Sequence, residues 1–240
     1  MKITIMTLFP EMIEQCISHS IMGRAIQNGI VNIEAIDIRK YSGNKHNQVD
    51  DYPYGGGAGM LIRAQPVKDC YNAIEKSHNT RVIYMTPAGK VWNQKLAEEF
   101  SNEKEIIILC GHYEGIDQRV IDDIVTDEIS IGDYVLTGGE IAAITITDSI
   151  IRLIDGVLGK KESFEMESFS DNLLEHNHYT RPRVFEGREV PEVLLEGNHK
   201  KIEQYRREQS LRNTAIKRPD LLEKANLSIC EKEYVKNFLE

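Results

Sequence analysis

Ser130-Ile131-Gly132-Asp133-Tyr134-Val135-Leu136-Thr137-Gly138-Gly139-Glu140 is the stretch that decides how this chain is read. Twenty residues earlier stands a similar one, Cys110-Gly111-His112-Tyr113-Glu114-Gly115-Ile116-Asp117. Both are glycine-rich, carry carboxylates and follow short β-branched runs that read as strands. Glycine lets backbone approach a ligand closely and accepts positive φ. Loops at strand ends are where open α/β sheets bind small molecules. The pair therefore predicts a cofactor cradle.

Outward from these loops, strand-like and helix-like segments alternate. Residues 3–8 read as a strand. Pro10 suits a first helical turn, and Met12, Ile13, Cys16, Ile17, Ile21, Ala25 and Ile26 recur at helical spacing until Gly29. Strands are expected over 31–38, 82–85 and 106–110. Helices are expected over 67–74, 93–100, 116–125 and, as an apolar buried run, 140–154. Such alternation predicts a parallel sheet with helices on both faces. Residues 159–178 are polar and aperiodic, which reads as a flexible linker or lid. From Pro191 the pattern is helical, with Asn198 a candidate N-cap and Pro219 opening a new turn. The expected organisation is an α/β domain over 1–158, a connector over 159–178 and a small all-α domain over 179–240.

The chain has 240 residues and a net charge of −9, which argues against a nucleic-acid partner until the distribution is considered. Residues 98–140 hold twelve carboxylates against Lys104 and Arg119. Residues 181–218 hold ten Lys and Arg against six Glu. That asymmetry fits two modules with different tasks, although a basic stretch also fits a solvated helix face. No apolar run is long enough to span a bilayer, and the N-terminus lacks a signal-peptide pattern. Cys16, Cys70, Cys110 and Cys230 are scattered and read as free thiols of a cytoplasmic protein.

Familiar motifs fail. In Gly55-Gly56-Gly57-Ala58-Gly59-Met60, methionine occupies the last glycine position of a dinucleotide fingerprint, and no phosphate-binding P-loop is present. Alone, that loop reads as a flexible turn, but the adjacent Asp50 and Asp51 repel unless a ligand or donor occupies them. No metal site is expected: the seven histidines are dispersed, and His176 and His178 alone suit surface or packing roles.

Taken together, the chain resembles the bacterial tRNA (guanine-N1)-methyltransferase family, TrmD. The match rests on Leu8-Phe9-Pro10-Glu11-Met12, Val49-Asp50-Asp51 with Pro53-Tyr54-Gly55-Gly56-Gly57, and the two loops quoted above. It continues through Gly156-Val157-Leu158-Gly159, His178-Tyr179-Thr180-Arg181-Pro182 and Gly197-Asn198-His199. The resemblance implies a SPOUT-type trefoil knot in the sheet domain, which periodicity does not reveal. It implies methyl transfer from S-adenosylmethionine to N1 of the guanosine immediately 3′ of the anticodon, by a homodimer whose active sites are shared between subunits, with Mg2+ as an assisting ion.

Carried over by residue, the donor site comprises Tyr84, Met85, Thr86, Pro87 and Gly89; Gly111 and Glu114; and Ile131, Gly132, Asp133, Tyr134, Val135, Leu136, Gly138 and Gly139. The tRNA contacts are Asp50, Gly55, Gly56, Gly57, Gly59, His112, Arg181 and Arg183. His112 stands where some relatives carry arginine, which weakens that contact or makes it pH-dependent. Proton removal from N1 needs a general base, and charge building on O6 needs a fixed cation. The resemblance assigns these roles to Glu167 and Arg152, with Asp171 as rival base. Arg152 could instead cap its helix. The family's base is an aspartate, whereas here the segment reads Glu167-Ser168-Phe169. That departure keeps two alternatives open: a catalytically weak RNA-binding SPOUT protein, and a SPOUT enzyme acting on ribose 2′-hydroxyls.

Overall fold

A computed structural model describes residues 1–158, 167–169 and 171–239. Gly159, residues 160–166 of the expected connector and Ser170 lie outside the described residues. The chain divides into two compact units, Met1–Gly159 and Lys160–Glu240.

The first unit is built on five parallel strands. They are β1 (Lys2–Thr7), β2 (Asn32–Asp37), β5 (Arg81–Val91), β6 (Glu105–Cys110) and β7 (Asp127–Ser130), in the order β2-β1-β6-β5-β7. β6 is inserted between β1 and β5, and its run Ile106-Ile107-Ile108-Leu109 is 1% exposed or less. Such a continuous apolar strand is what a sheet covered on both faces requires. One face carries α1 (Pro10–Ile17), α4 (Gln94–Ser101) and α6 (Glu140–Ile151), whose Ile13, Phe100, Ile146 and Ile150 are fully buried. The other carries α3 (Ala64–Ala73) and α5 (Gln118–Ile124) around Val67, Cys70 and Val120. A two-stranded antiparallel pair, β3 (Asp50–Asp51) and β4 (Leu61–Ile62), brackets the glycine loop.

Three features depart from the sequence expectation. The single helix expected from Pro10 to Gly29 is two, α1 and α2 (Ser20–Gln27), because the chain turns at Ser20 with φ 56°. Gly23 makes the turn possible: a Cβ there would lie 2.3 Å from the Ser18 carbonyl oxygen. Secondly, β5 does not stop at Met85. It runs to Val91, with a register shift in which both Met85 and Lys90 pair with Ile129, so that residues 86–89 bulge out of the ladder. Thirdly, the C-terminal unit contains a β-hairpin, Val184–Phe185 with Arg188–Glu189, besides its helices.

Those helices are His199–Lys217, Pro219–Leu222 and Ile229–Leu239, and the Asn198 side chain caps the first by accepting from the Lys201 amide. Leu211, Ala215, Val235 and Leu173 form the small core of this unit. Among the described residues no helix is long and apolar enough to cross a membrane.

Candidate functional site

The carboxyl ends of β5, β6 and β7 open into a cavity of about 270 Å³, the place where parallel sheets bind ligands. Three loops build its wall. β5 supplies Tyr84 and Met85 and its bulge Thr86 and Pro87; the loop after β6 supplies Gly111 and Glu114; and the loop after β7 supplies Ile131, Gly132, Tyr134, Val135, Leu136, Gly138 and Gly139. His112, assigned to RNA contact from the sequence, also lines the cavity. So do Tyr113, Gly115, Ile129, Ser130, Thr137 and Ala142, which had no assigned role. Asp133 and Gly89 do not. Asp133 is exposed. A Cβ on Gly89 would stand 2.3 Å from the Ile129 amide nitrogen, so this glycine lets the bulge lie against β7.

The loops are locked together by backbone. The Gly139 amide donates to the Gly111 carbonyl at 2.8 Å, and His112 forms an antiparallel bridge with Gly138. A Cβ on Gly139 would meet Cys110 Cα at 2.9 Å and the Gly111 nitrogen at 3.0 Å. Only glycine allows so close an approach without displacement.

Beneath Gly138, Glu140 is 3% exposed, and its Oε1 accepts from the Thr7 hydroxyl at 2.8 Å. Its place in the first turn of α6 suits a carboxylate, since the helix amino end is electropositive. Burial and the neighbouring Glu140 charge push the Cys110 thiol well up, so it stays a thiol. Burial, followed by the Glu128 charge, raises the Tyr84 phenol. Phe9 and Tyr113 flank the His112 ring at 5.1 and 5.0 Å, and the Arg39 guanidinium lies 5.0 Å from the Phe9 ring centre.

Met60 and Gly59 join the glycine loop to this wall. The Glu114 amide donates to the Met60 carbonyl at 3.0 Å, and the Gly59 Cα faces the Glu114 side chain. Gly55, Gly56 and Gly57 have positive φ and open space around them, and Tyr54 is 99% exposed. Asp50 and Asp51 occupy a strand, where successive side chains point to opposite faces, so adjacency alone creates no need for a ligand. Arg152 is half-buried at the carboxyl end of α6, its amide donating to the Asp148 carbonyl.

In the second unit, Glu167 and Asp171 border a cavity of about 330 Å³ with Glu175, His176, Glu203 and Arg206. Asp171 is ion-paired with Arg207 at 2.8 Å, and Arg207 also binds Glu231 at 2.6 Å. Burial first, and then the neighbouring His178 and Arg206, lowers the His176 imidazole. Arg181 and Arg183 are exposed and border a further cavity of about 610 Å³.

Comparison with known proteins places these observations. Residues 1–224 match the family model described as tRNA (Guanine-1)-methyltransferase TrmD. The chain is 59% identical over 229 residues to the tRNA (guanine-N(1)-)-methyltransferase of Clostridioides difficile, covering 94% of this chain and 99% of that one. Identity is 57% to the protein of the same name from Caldicellulosiruptor saccharolyticus, covering 100% and 98%. It is 52% to that from Staphylococcus carnosus, covering 99% and 97%. The chain belongs to the tRNA (guanine-1)-methyltransferase family.

Proposed function

We propose that this protein transfers a methyl group from S-adenosylmethionine to N1 of guanosine in tRNA, at the position immediately 3′ of the anticodon. The observation that carries the reading is the cavity at the carboxyl ends of β5, β6 and β7, closed by the backbone contact between Gly139 and Gly111. Its mixed apolar and backbone-lined wall suits a nucleoside, and Glu114 lends it a carboxylate that favours a sulfonium cation. The donor brings its own leaving group, so no protein nucleophile is needed.

What this chain supplies is orientation, a base and a cation. Residues 131–139, Gly111 and the bulge of β5 hold the donor. The close approach of residues 138–139 to residues 110–112 is compatible with the trefoil knot that the family implies. Glu167 removes the N1 proton as the methyl arrives, and Arg152 balances the charge that develops on O6. Asp171, whose carboxylate is held by the Arg207 guanidinium at 2.8 Å, is the rival base. Asp50 and Gly55, Gly56, Gly57 and Gly59 read the guanine, which is drawn out of a single-stranded loop. The polar segment around Glu167 acts as a lid, and the unit beyond it grips stem phosphates through Arg181 and Arg183. Mg2+ belongs to this reading as an assisting ion without assigned ligands.

Two subunits complete the site in this reading, the lid of one closing on the cavity of the other. Val135 at 85% exposure and Ile141 at 48% are apolar surface at the cavity mouth and on α6 that a partner would cover. The test is transfer of tritium from labelled donor to tRNA lacking the modification. Label on N1 of the anticodon-adjacent guanine supports the proposal. Donor binding without transfer favours an RNA-binding protein, and label on ribose favours a 2′-hydroxyl enzyme.

A further inference from the structure

Glu175, His176 and His178 take no part in the reaction described, yet the second unit holds their backbone firmly. Leu173 is buried at 3% exposure beside Leu211, Ala215 and Val235. The Leu174 amide donates to the Thr214 hydroxyl at 2.8 Å, and the Glu175 amide to the Ser168 hydroxyl at 3.0 Å. Asn213 donates to the Glu175 carbonyl at 2.8 Å and to the Asn177 side chain at 3.0 Å, so the chain is anchored on both sides of His176.

The three side chains converge. One ligand atom from each lies within 4.8 Å of the others, and Glu175 Oε1 stands 3.0 Å from His178 Nε2. The two imidazole rings are 4.5 Å apart, centre to centre. Ligand bonds of about 2.0–2.2 Å in tetrahedral geometry place neighbouring donor atoms roughly 3.3–3.6 Å apart. Small rotations of His178, whose side chain is 64% exposed, close the remaining gap. We propose that Glu175, His176 and His178 bind a late first-row divalent cation, Zn2+ by ligand chemistry, with water completing the coordination.

Two imidazole nitrogens and one carboxylate oxygen suit Zn2+ and not Mg2+ or Ca2+, which seek six or more oxygens. A bound ion would brace the stretch from Ser168 to His178, which begins beside Glu167. The Arg206 cation borders the same cavity as Glu175 and His176, so affinity falls below that of a four-ligand structural site.

The experiment is calorimetric titration of zinc chloride into the metal-stripped full chain carrying Cys16→Ser and Cys230→Ser, which removes the exposed thiols. One ion per chain is expected. Binding should weaken at least tenfold in His178→Ala and vanish in His176→Asn with His178→Ala. Cobalt(II) should give visible d–d absorption without a thiolate band, and magnesium chloride should give no heat that depends on these histidines. Absence of zinc heat, or stoichiometric binding unchanged by the double substitution, overturns the proposal. His178→Gln, conservative at an exposed position, serves if the double variant does not fold. The readout is binding alone, so the result stands apart from methyl transfer.

Discussion

Gly139→Ala isolates the contact on which the cavity depends. The substitution adds one methyl group to a residue whose φ of −80° suits alanine, so backbone strain is not at issue. What it meets is main chain: Cys110 Cα at 2.9 Å and the Gly111 nitrogen at 3.0 Å, with the Cys110 Cβ at 3.2 Å. Main chain in a fully buried strand end cannot swing aside as a side chain can. Overpacking of this kind costs about 1–3 kcal/mol, which lowers the melting temperature of a chain this size by roughly 2–12 °C. The same displacement stretches the 2.8 Å hydrogen bond from Gly139 to Gly111 and parts two cavity walls. Donor affinity, measured by calorimetry, should fall at least tenfold, equivalent to about 1.4 kcal/mol. Gly111→Ala is the comparison. Its Cβ would meet the Tyr84 hydroxyl at 3.1 Å, a side-chain end that can shift, so stability should fall less while donor binding still suffers. A Gly139→Ala protein with wild-type melting and wild-type donor affinity would refute the reasoning.

Other substitutions test other parts. Arg152→Ala and Glu167→Gln should each depress turnover at least about 10²-fold while donor binding stays measurable, and Asp171→Asn should cost less; full activity in Glu167→Gln would transfer the base to Asp171. Thr7→Val leaves the buried Glu140 carboxylate without its hydroxyl donor and should destabilise by about 1–3 kcal/mol in urea; an unchanged midpoint contradicts the assigned hydrogen bond. Glu105 accepts from the Ser77 amide at 2.6 Å and from the Thr80 hydroxyl, and bonds from these two residues hold it down to about 2. Its folded value is depressed, so its stabilising contribution is complete above the unfolded value near 4.3 and is lost as pH falls towards 2. Glu105→Gln should flatten the acid limb of the stability profile in that window, and an unaltered slope would remove Glu105 from the account.

Much of the first unit is legible because its strands are β-branched and its helices amphipathic, and the glycine loops announce themselves by composition. What escaped has local causes. Helical periodicity runs on through Ser18 and His19 although the chain turns there, since apolar spacing does not register the positive φ of Ser20. The hairpin at residues 184–189 turns on Glu186-Gly187, with φ 48° and 76°, a two-residue turn between Phe185 and Arg188 that lies within a mostly polar stretch. Leu173 sits in a polar stretch, and only its partners Leu211 and Val235, far along the chain, reveal that it is buried. In the site, Ile129 and Ala142 were missed because each faces the cavity from within a regular element, where apolar residues read as core. Asp133 is exposed between neighbours that line the wall, a difference that composition does not register.

The excursion in β5 has a consequence for how such a site can vary. Met85 and Lys90 are both clasped to Ile129, so the sheet is indifferent to how much chain passes between them. Residues could be added to or removed from that span at little entropic cost, since closure grows only slowly with length. This part of the cavity wall can therefore be retailored over generations while the strands on either side keep their partners.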